Sequence, residues 1–448
     1  MLTAYDALNR TTDLIARTVR AGADAADAVY GGSASRHVSV RLGVLEDVGS
    51  AEGAEIGLRV FVGKRSATAS TSDFSIASID ALIDRTVAMA RLAPEDPFAG
   101  LAPQELLSHG PFTSFDTDDG QDVAPEALKD RALAAEDAAR AVAGVTNSQG
   151  GSAGVARGVS AMATSAGFAG ASHGSSHSVS ASVLAGDGAD MQRDYAHHSV
   201  RHLSDLDDAA VIGREAGTRA VVRMNPVRLK SGPMTVVFDP RVGPSLLGHL
   251  LGGISGGAIA RKTSFLLDAL GTQIFDNAVT IIDDPWQQRG FRSRAFDGEG
   301  LATRPTTIID HGVLTGWIAE SASARQLGIA PTGHATRGLS GAPGASATNL
   351  RMEPGTVTPT TLMADIVDGF YVTELIGMGV NGMTGDYSRG ASGFRIVNGE
   401  RAGAVSEVTI ASNLKDMFAR LVPANDLVLR YTTNTPTLRI DQMMVAGD

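Results

Sequence analysis

The sequence predicts an α+β protein in which an N-terminal region of two helix/antiparallel-strand/helix units precedes a β-rich C-terminal domain. Three observations carry this. Helical patterns bracket runs of strands instead of alternating singly with them. Within those runs polar and apolar residues alternate with period two. Glycine supplies 52 of the 448 residues and aromatics only 5%, a composition suited to closely layered sheet. The length exceeds what one hydrophobic core serves, and the pattern divides it into residues 1–115, 116–225 and 226–448.

Each element has its own signal. Residues 5–21 place Leu8, Leu14, Ile15 and Val19 on one face with Gly22 beyond, an amphipathic helix with a glycine stop. From 25 to 71 the period shortens to two, as in Val38, Val40 and Leu42 against His37, Ser39 and Arg41, and strands are expected. Ser78 is the expected cap of a helix that Pro94 ends. A loop follows to about 122. Pro125 starts the next helix, Gly144 stops it, and alternating Ser-rich strands run from 145 to 202. Ser204 is the expected cap of a last helix, which ends before Asn225-Pro226. Beyond it, residues 234–238 read as a buried strand, Asp310-His311-Gly312 as a hairpin connection, and 321–327 with Gly328 as a short helix. The Gly, Ala, Ser and Pro-rich stretch 331–347 reads as a mobile or groove-lining loop.

Composition excludes several classes. A net charge of −11 opposes a nucleic-acid surface, which clusters Lys and Arg to displace counterions. The absence of cysteine removes disulfides, thiol catalysis and thiolate metal ligands. No run approaches about 18 apolar residues, so no membrane span is expected. Asp6 and Asp13 interrupt the start, which does not read as a signal peptide, and the expected compartment is the cytoplasm.

Residues 248–271, GHLLGGISGGAIARKTSFLLDALG, carry a lone histidine into an apolar run. A zinc-peptidase helix needs two imidazoles on one face and a carboxylate beside them. His249 is followed by Leu250, and no second histidine appears before His311. A Walker loop fails too, because Arg261 stands where glycine must precede Lys262-Thr263. The glycines read instead as close-packing positions over buried Ile254, Ile259 and Phe265. His173 and His177 share one face of a strand and could chelate a metal, but no carboxylate accompanies them at a known spacing. The acidic cluster Asp116, Asp118, Asp119 and Asp122 lacks the glycine and glutamate of an EF-hand and reads as a solvated surface loop. No catalytic or metal-ligating residue is assigned.

Residues 376–400, IGMGVNGMTGDYSRGASGFRIVNGE, resemble the C-terminal signature of the TldD/PmbA family, in its PmbA branch, also called TldE. Residues 57–71, GLRVFVGKRSATAST, and 254–271 agree, so the resemblance spreads over nearly the whole chain. It implies a two-subunit cytoplasmic metallopeptidase system that matures or degrades peptides, historically named a modulator of DNA gyrase. The catalytic TldD subunit carries HExxxH and a cysteine. Its first His falls on His249, but its Glu falls on Leu250 and its second His on Ile254. The resemblance therefore implies a subunit without metal of its own, inactive alone, with zinc or another divalent metal in a TldD-like partner. Peptide substrate, no nucleic acid, no membrane, and a homodimer of the isolated chain complete the expectation.

The same signature has a physical reading. Asn381-Gly382 and Asn398-Gly399 are tight-turn pairs, and Gly385, Gly390 and Gly393 allow close approach of another chain. Peptide-binding or interface candidates are His249, Asn381, Gly382, Thr384, Asp386, Tyr387, Ser388 and Arg389. Against them stands a plain antiparallel core with Asp386 and Arg389 as a structural ion pair. Rival functions are an independent hydrolase built on His249 and Asp268 or on the histidines near His173, and a gyrase modulator without enzymatic activity.

Overall fold

The structure, a computed structural model, describes residues 1–188 and 191–447. Helix α1 (Ala4–Arg20) starts where the Thr3 hydroxyl accepts the Asp6 N–H, and it ends just before Gly22 at φ 94°. Strands β1 (Ala25–Arg41) and β2 (Val44–Val62) turn through Leu42-Gly43, both at positive φ, and β3 (Arg65–Thr71) follows. Helix α2 (Ile76–Leu92) is capped by Ser75, not by Ser78 as expected. Ser75 is the last extended residue, and it accepts the N–H of Ser78, which already lies in the first turn.

The second unit repeats this order with α3 (Pro125–Arg140), β4 (Val145–Thr164), β5 (Ala169–Ala185), β6 (Gln192–Val200) and α4 (Ala209–Val222). Here Asp208 caps α4, and the expected cap Ser204 sits in a separate 3-10 turn. The two units share one sheet, ordered β3-β2-β1-β4-β5-β6 and antiparallel throughout, because β1 pairs with β4 from Asp27↔Thr164 to Val40↔Gly151. Residues of one parity take all the helices on a single face. Tyr30 and Ala161 meet Ala7 of α1 near one end of the strands. Val38, Val40, Ala153 and Val155 meet Leu128 and Ala132 of α3 near the other. A Cβ at Gly213 of α4 would lie 2.0 Å from the Ala135 carbonyl oxygen, so only glycine permits this helix approach.

The opposite face packs on the rest of the molecule. Met162 and Phe168 bury against Ala102, Leu107 and Leu301, with Phe112 and Phe296 completing an aromatic cluster. The loop after Pro94 is thus partly core. Its acidic end is also less solvated than expected: Asp119 accepts the Leu203 and Gln121 N–H groups and is almost buried.

Past Asn225-Pro226 come β7 (Gly232–Phe238), α5 (Pro244–Ile254), α6 (Gly256–Ala260), β8 (Ile281–Asp283), β9 (Thr306–Asp310), β10 (Val313–Leu314), α7 (Ser321–Leu327), β11 (Ala335–Thr336), β12 (Gly344–Ala345), β13 (Leu350–Met352) and α8 (Pro359–Met363). The chain then runs through β14 (Asp368–Ile376), β15 (Asp386–Val397), β16 (Glu400–Asn413), α9 (Leu414–Ala419), β17 (Leu421–Pro423), β18 (Thr433–Asn434) and β19 (Leu438–Ala446). Five strands close a barrel in the order β16-β15-β14-β7-β19, with β16 returning to β19; only β7 and β14 run parallel. Its core joins Val236, Phe238, Phe370, Val372 and Ile410 to Leu246, Leu250 and Ile254 of α5. The expected hairpin at 310–312 and the Gly328 helix stop are present.

The stretch 331–347 is not the featureless loop its composition suggested. His334, Ala335 and Ala347 are buried, and β11 pairs with β12. A Cβ at Gly57 of β2 would lie 1.8 Å from the Leu339 carbonyl oxygen. Small residues let this segment lie directly on the glycine-rich sheet. Arg337 Nε meets Asp27 Oδ1 at 3.0 Å, Arg59 Nε meets Asp27 Oδ2 at 2.5 Å, and Arg59 Nη2 lies 3.8 Å from Glu299 Oε1. These four buried side chains form a charge cluster between the sheet and the C-terminal region.

Candidate functional site

Helix α5 begins with Pro244 in its first turn, and Leu246, Leu250 and Ile254, four residues apart, form the stripe that enters the barrel core. Its glycines divide by face. Gly248 and Gly252 look onto open space, whereas a Cβ at Gly253 would press on Phe265. His249 lies beside the buried stripe, half-buried, with its Nε2 enclosed and without a hydrogen-bond partner. Leu250 and Ile254 are both fully buried. These donors do not fit zinc, which needs about three protein ligands: one imidazole is present, and core side chains hold the other two positions of the motif. Among the described residues no group of three or more His, Asp or Glu is arranged to hold a metal ion.

Strand β15 brings Tyr387 and Arg389 to the same side, two residues apart. The Tyr387 and His249 rings meet edge to face, 5.9 Å between centroids at 80°. Tyr387 is 1% exposed and its hydroxyl has no partner; the Arg389 Nε is likewise buried and unpartnered. Burial and then the Arg389 charge hold His249 below its usual pKa, while burial pushes the Tyr387 hydroxyl upward. The structure thus gathers His249, Tyr387 and Arg389 and leaves the other candidates around them on the surface. Asp386 and Arg389 form no ion pair, because three residues along a strand put them on opposite sides. Asp386 instead accepts the Thr384 hydroxyl at 2.6 Å and the Asn413 amide at 3.2 Å, which hold its carboxyl below the usual range. Asn381-Gly382 is not a two-residue hairpin turn. The Asn381 side chain accepts the Met383 and Thr384 N–H groups, and the Gly382 carbonyl accepts the Phe265 N–H. Asn398-Gly399, both at positive φ, is the hairpin turn between β15 and β16. Ser388 is exposed, and the connection carries Met378, 85% exposed, and exposed Met383.

The rival sites do not assemble. Asp268 is exposed and no hydrogen bond joins it to His249. His173 and His177 each face an aspartate that spacing along the chain could not reveal, Asp118 at 4.0 Å and Asp119 at 2.8 Å. The second contact lacks hydrogen-bond geometry. Sequence reasoning missed a cavity of about 330 Å³ between β6 and the barrel, lined by Arg193, Asp194, Arg223, Arg241, Glu374 and Arg389 among others. A signal existed: Asp194 shares the inward parity of buried Ala196.

Residues 26–90, 118–224 and 231–447 match, in turn, the PmbA/TldA metallopeptidase domain 1, central domain and C-terminal domain. The chain belongs to the PmbA/TldD metallopeptidase family. It is 36% identical to the metalloprotease PmbA of Escherichia coli O157:H7 over 95% of this chain and 92% of that one. It is 33% identical to the PmbA homolog of Haemophilus influenzae over 92% and 90%. A Bacteroides thetaiotaomicron protein solved as a candidate modulator of DNA gyrase superposes with a TM-score of 0.90 at 26% identity, covering 98% of each chain. TldE from Thermococcus kodakarensis shares the fold at 0.86 and 21% identity, covering 98% of this chain and all of that one. In this PmbA/TldD chain no helix is long and apolar enough to cross a membrane, among the described residues.

Proposed function

We propose that this chain is the metal-free partner subunit of a PmbA/TldD-type cytoplasmic metallopeptidase complex and helps hold extended peptide for a TldD-like subunit that carries the zinc. The observation that supports it most is α5. At the positions where the family resemblance sets the catalytic glutamate and second histidine, Leu250 and Ile254 are fully packed, while His249, Tyr387 and Arg389 beside them keep unpaired polar atoms. Buried polar atoms without partners are costly, and a bound ligand would satisfy them. The exposed connection carrying Asn381, Gly382 and Met383 adjoins β15 and offers accessible side chains and backbone for a peptide to contact.

The test is co-expression with a TldD-like chain, followed by metal analysis and peptide cleavage. Equal recovery of both chains, with zinc and cleavage following the partner, is expected. Stoichiometric zinc in this chain alone, or chelator-sensitive cleavage by it, would overturn the reading. The net charge of −11 gives no support to direct DNA binding, the alternative that the gyrase description suggests.

A further inference from the structure

The cavity between β6 and the barrel is a charge site short of acid. Asp194 is shared by Arg223 at 3.3 Å and Arg241 at 3.1 Å, and Glu374 by Arg223 at 2.5 Å and Arg193 at 3.8 Å. Arg389 lines the same cavity and, among the described residues, has no carboxylate partner. Arg241 also meets Asp239 at 3.5 Å, so among the described residues four guanidinium groups meet three carboxylates, and Arg389 is the one left over. Behind Arg389 the Tyr387 hydroxyl and the His249 Nε2 are enclosed without acceptors or donors. What the place lacks is an anion. A carboxylate matches it, because a guanidinium offers two parallel N–H donors to its two oxygens. The volume of about 330 Å³ admits one residue-sized group and not a folded partner.

We propose that this cavity binds a carboxylate of the peptide substrate, seated on Arg389. The proposal rests on the peptide-holding reading above. The carboxylate has two sources in a peptide, the chain end and an Asp or Glu side chain. The interdomain position of the cavity, between β6 and β14–β15, would make the sheet and barrel jointly responsible for peptide choice.

The experiment uses the full chain and three fluorescein-labelled decapeptides of otherwise neutral sequence: one ending in a free carboxylate, one in an amide, and one amidated with a single internal Glu. Wild type is expected to bind the free acid or the Glu peptide about ten-fold or more tightly than the neutral amide, the effect of one charge-assisted contact. Arg389→Gln should remove that preference and Arg389→Lys should keep part of it, with melting temperatures of both confirming the fold. Whichever acidic peptide gains identifies the source. Equal binding of all three, or a preference that survives Arg389→Gln, overturns the carboxylate site and leaves peptide holding intact. If no peptide binds, peptide holding fails, and acetate then probes the site directly by NMR of ¹³C-labelled histidine. A rise in the His249 pKa with acetate, absent in Arg389→Gln, would sustain the anion site; no rise would overturn it.

Discussion

Two buried polar clusters in this molecule are built to opposite rules. Between the sheet and the C-terminal region, Asp27, Arg59, Arg337 and Glu299 are all paired, each charge beside an opposite one. Beside the barrel helix, His249, Tyr387 and Arg389 touch one another through rings and charge but make no ion pair, and each keeps an enclosed polar atom without a partner. The first cluster pairs every charge within the chain, though the Arg337 Nη2 is still enclosed without a partner, and it joins the sheet to the C-terminal region. The second pairs none of its charge, and that is why it is the one proposed above to meet a ligand.

Removing a member should therefore have opposite consequences in the two places. The largest effect is expected for Asp27→Ala, which strands two buried guanidinium groups and should cost about 3 to 5 kcal/mol in chemical denaturation. A cost under about 1 kcal/mol would mean that the paired cluster is dispensable. A smaller contrast uses two buried tyrosines. The Tyr371 hydroxyl donates to Asp239 Oδ2 at 3.0 Å, so Tyr371→Phe should cost about 1 to 2 kcal/mol.

The next effect is in pH. Burial holds His249 below its ordinary 6.5, and His177, His197 and His198 shift the same way for the same first cause. The unfolded chain then takes up protons before the folded one does. Stability from these groups is complete above about pH 6.5 and is lost as pH falls below it. In denaturation curves from pH 7.5 to 5, His249→Gln should shed part of that loss, and an unchanged slope would remove His249 from the account. The smallest effect belongs to Tyr387→Phe, whose lost hydroxyl has no partner: stability within about 0.5 kcal/mol of wild type, or slightly higher. A loss as large as that of Tyr371→Phe would mean that the Tyr387 hydroxyl is partnered after all.

The order of helices and strands was legible because period and caps are local. Alternation through 25–71 and 145–202 marked the strands of the N-terminal sheet, and Gly22 and Gly328 marked helix ends. The caps Ser75 and Asp208 were displaced by three or four residues, since several residues of capping type stand near each start and tertiary placement selects among them. That both N-terminal units would merge into one sheet was not legible, because the β1–β4 pairing carries no mark in either strand alone. Of the site, His249, Tyr387 and Arg389 were within reach through the α5 and β15 motifs. Arg193, Arg223, Arg241 and Glu374 were not, because they meet only when β6, the C-terminal end of α4, the turn between β7 and α5, and β14 converge. The segment 331–347 does line grooves, through Thr336, Arg337 and Leu339, but its burial was not legible, because low complexity signals either mobility or close contact and only the glycines of β1 and β2 decide which.

The barrel's strand order has a consequence for biosynthesis. β7, at residue 232, is hydrogen-bonded to β14 on one side and to β19, the last strand, on the other. At roughly 5 to 20 residues per second, the ribosome delivers β19 about ten to forty seconds after β7. Until β14 emerges, β7 has two open edges, and from then until β19 emerges one edge of this apolar strand stays open, a template for wrong pairing. The nascent chain therefore depends on keeping that edge occupied or shielded until β19 emerges, and termination before or within β19 would leave the barrel without the strand that closes it.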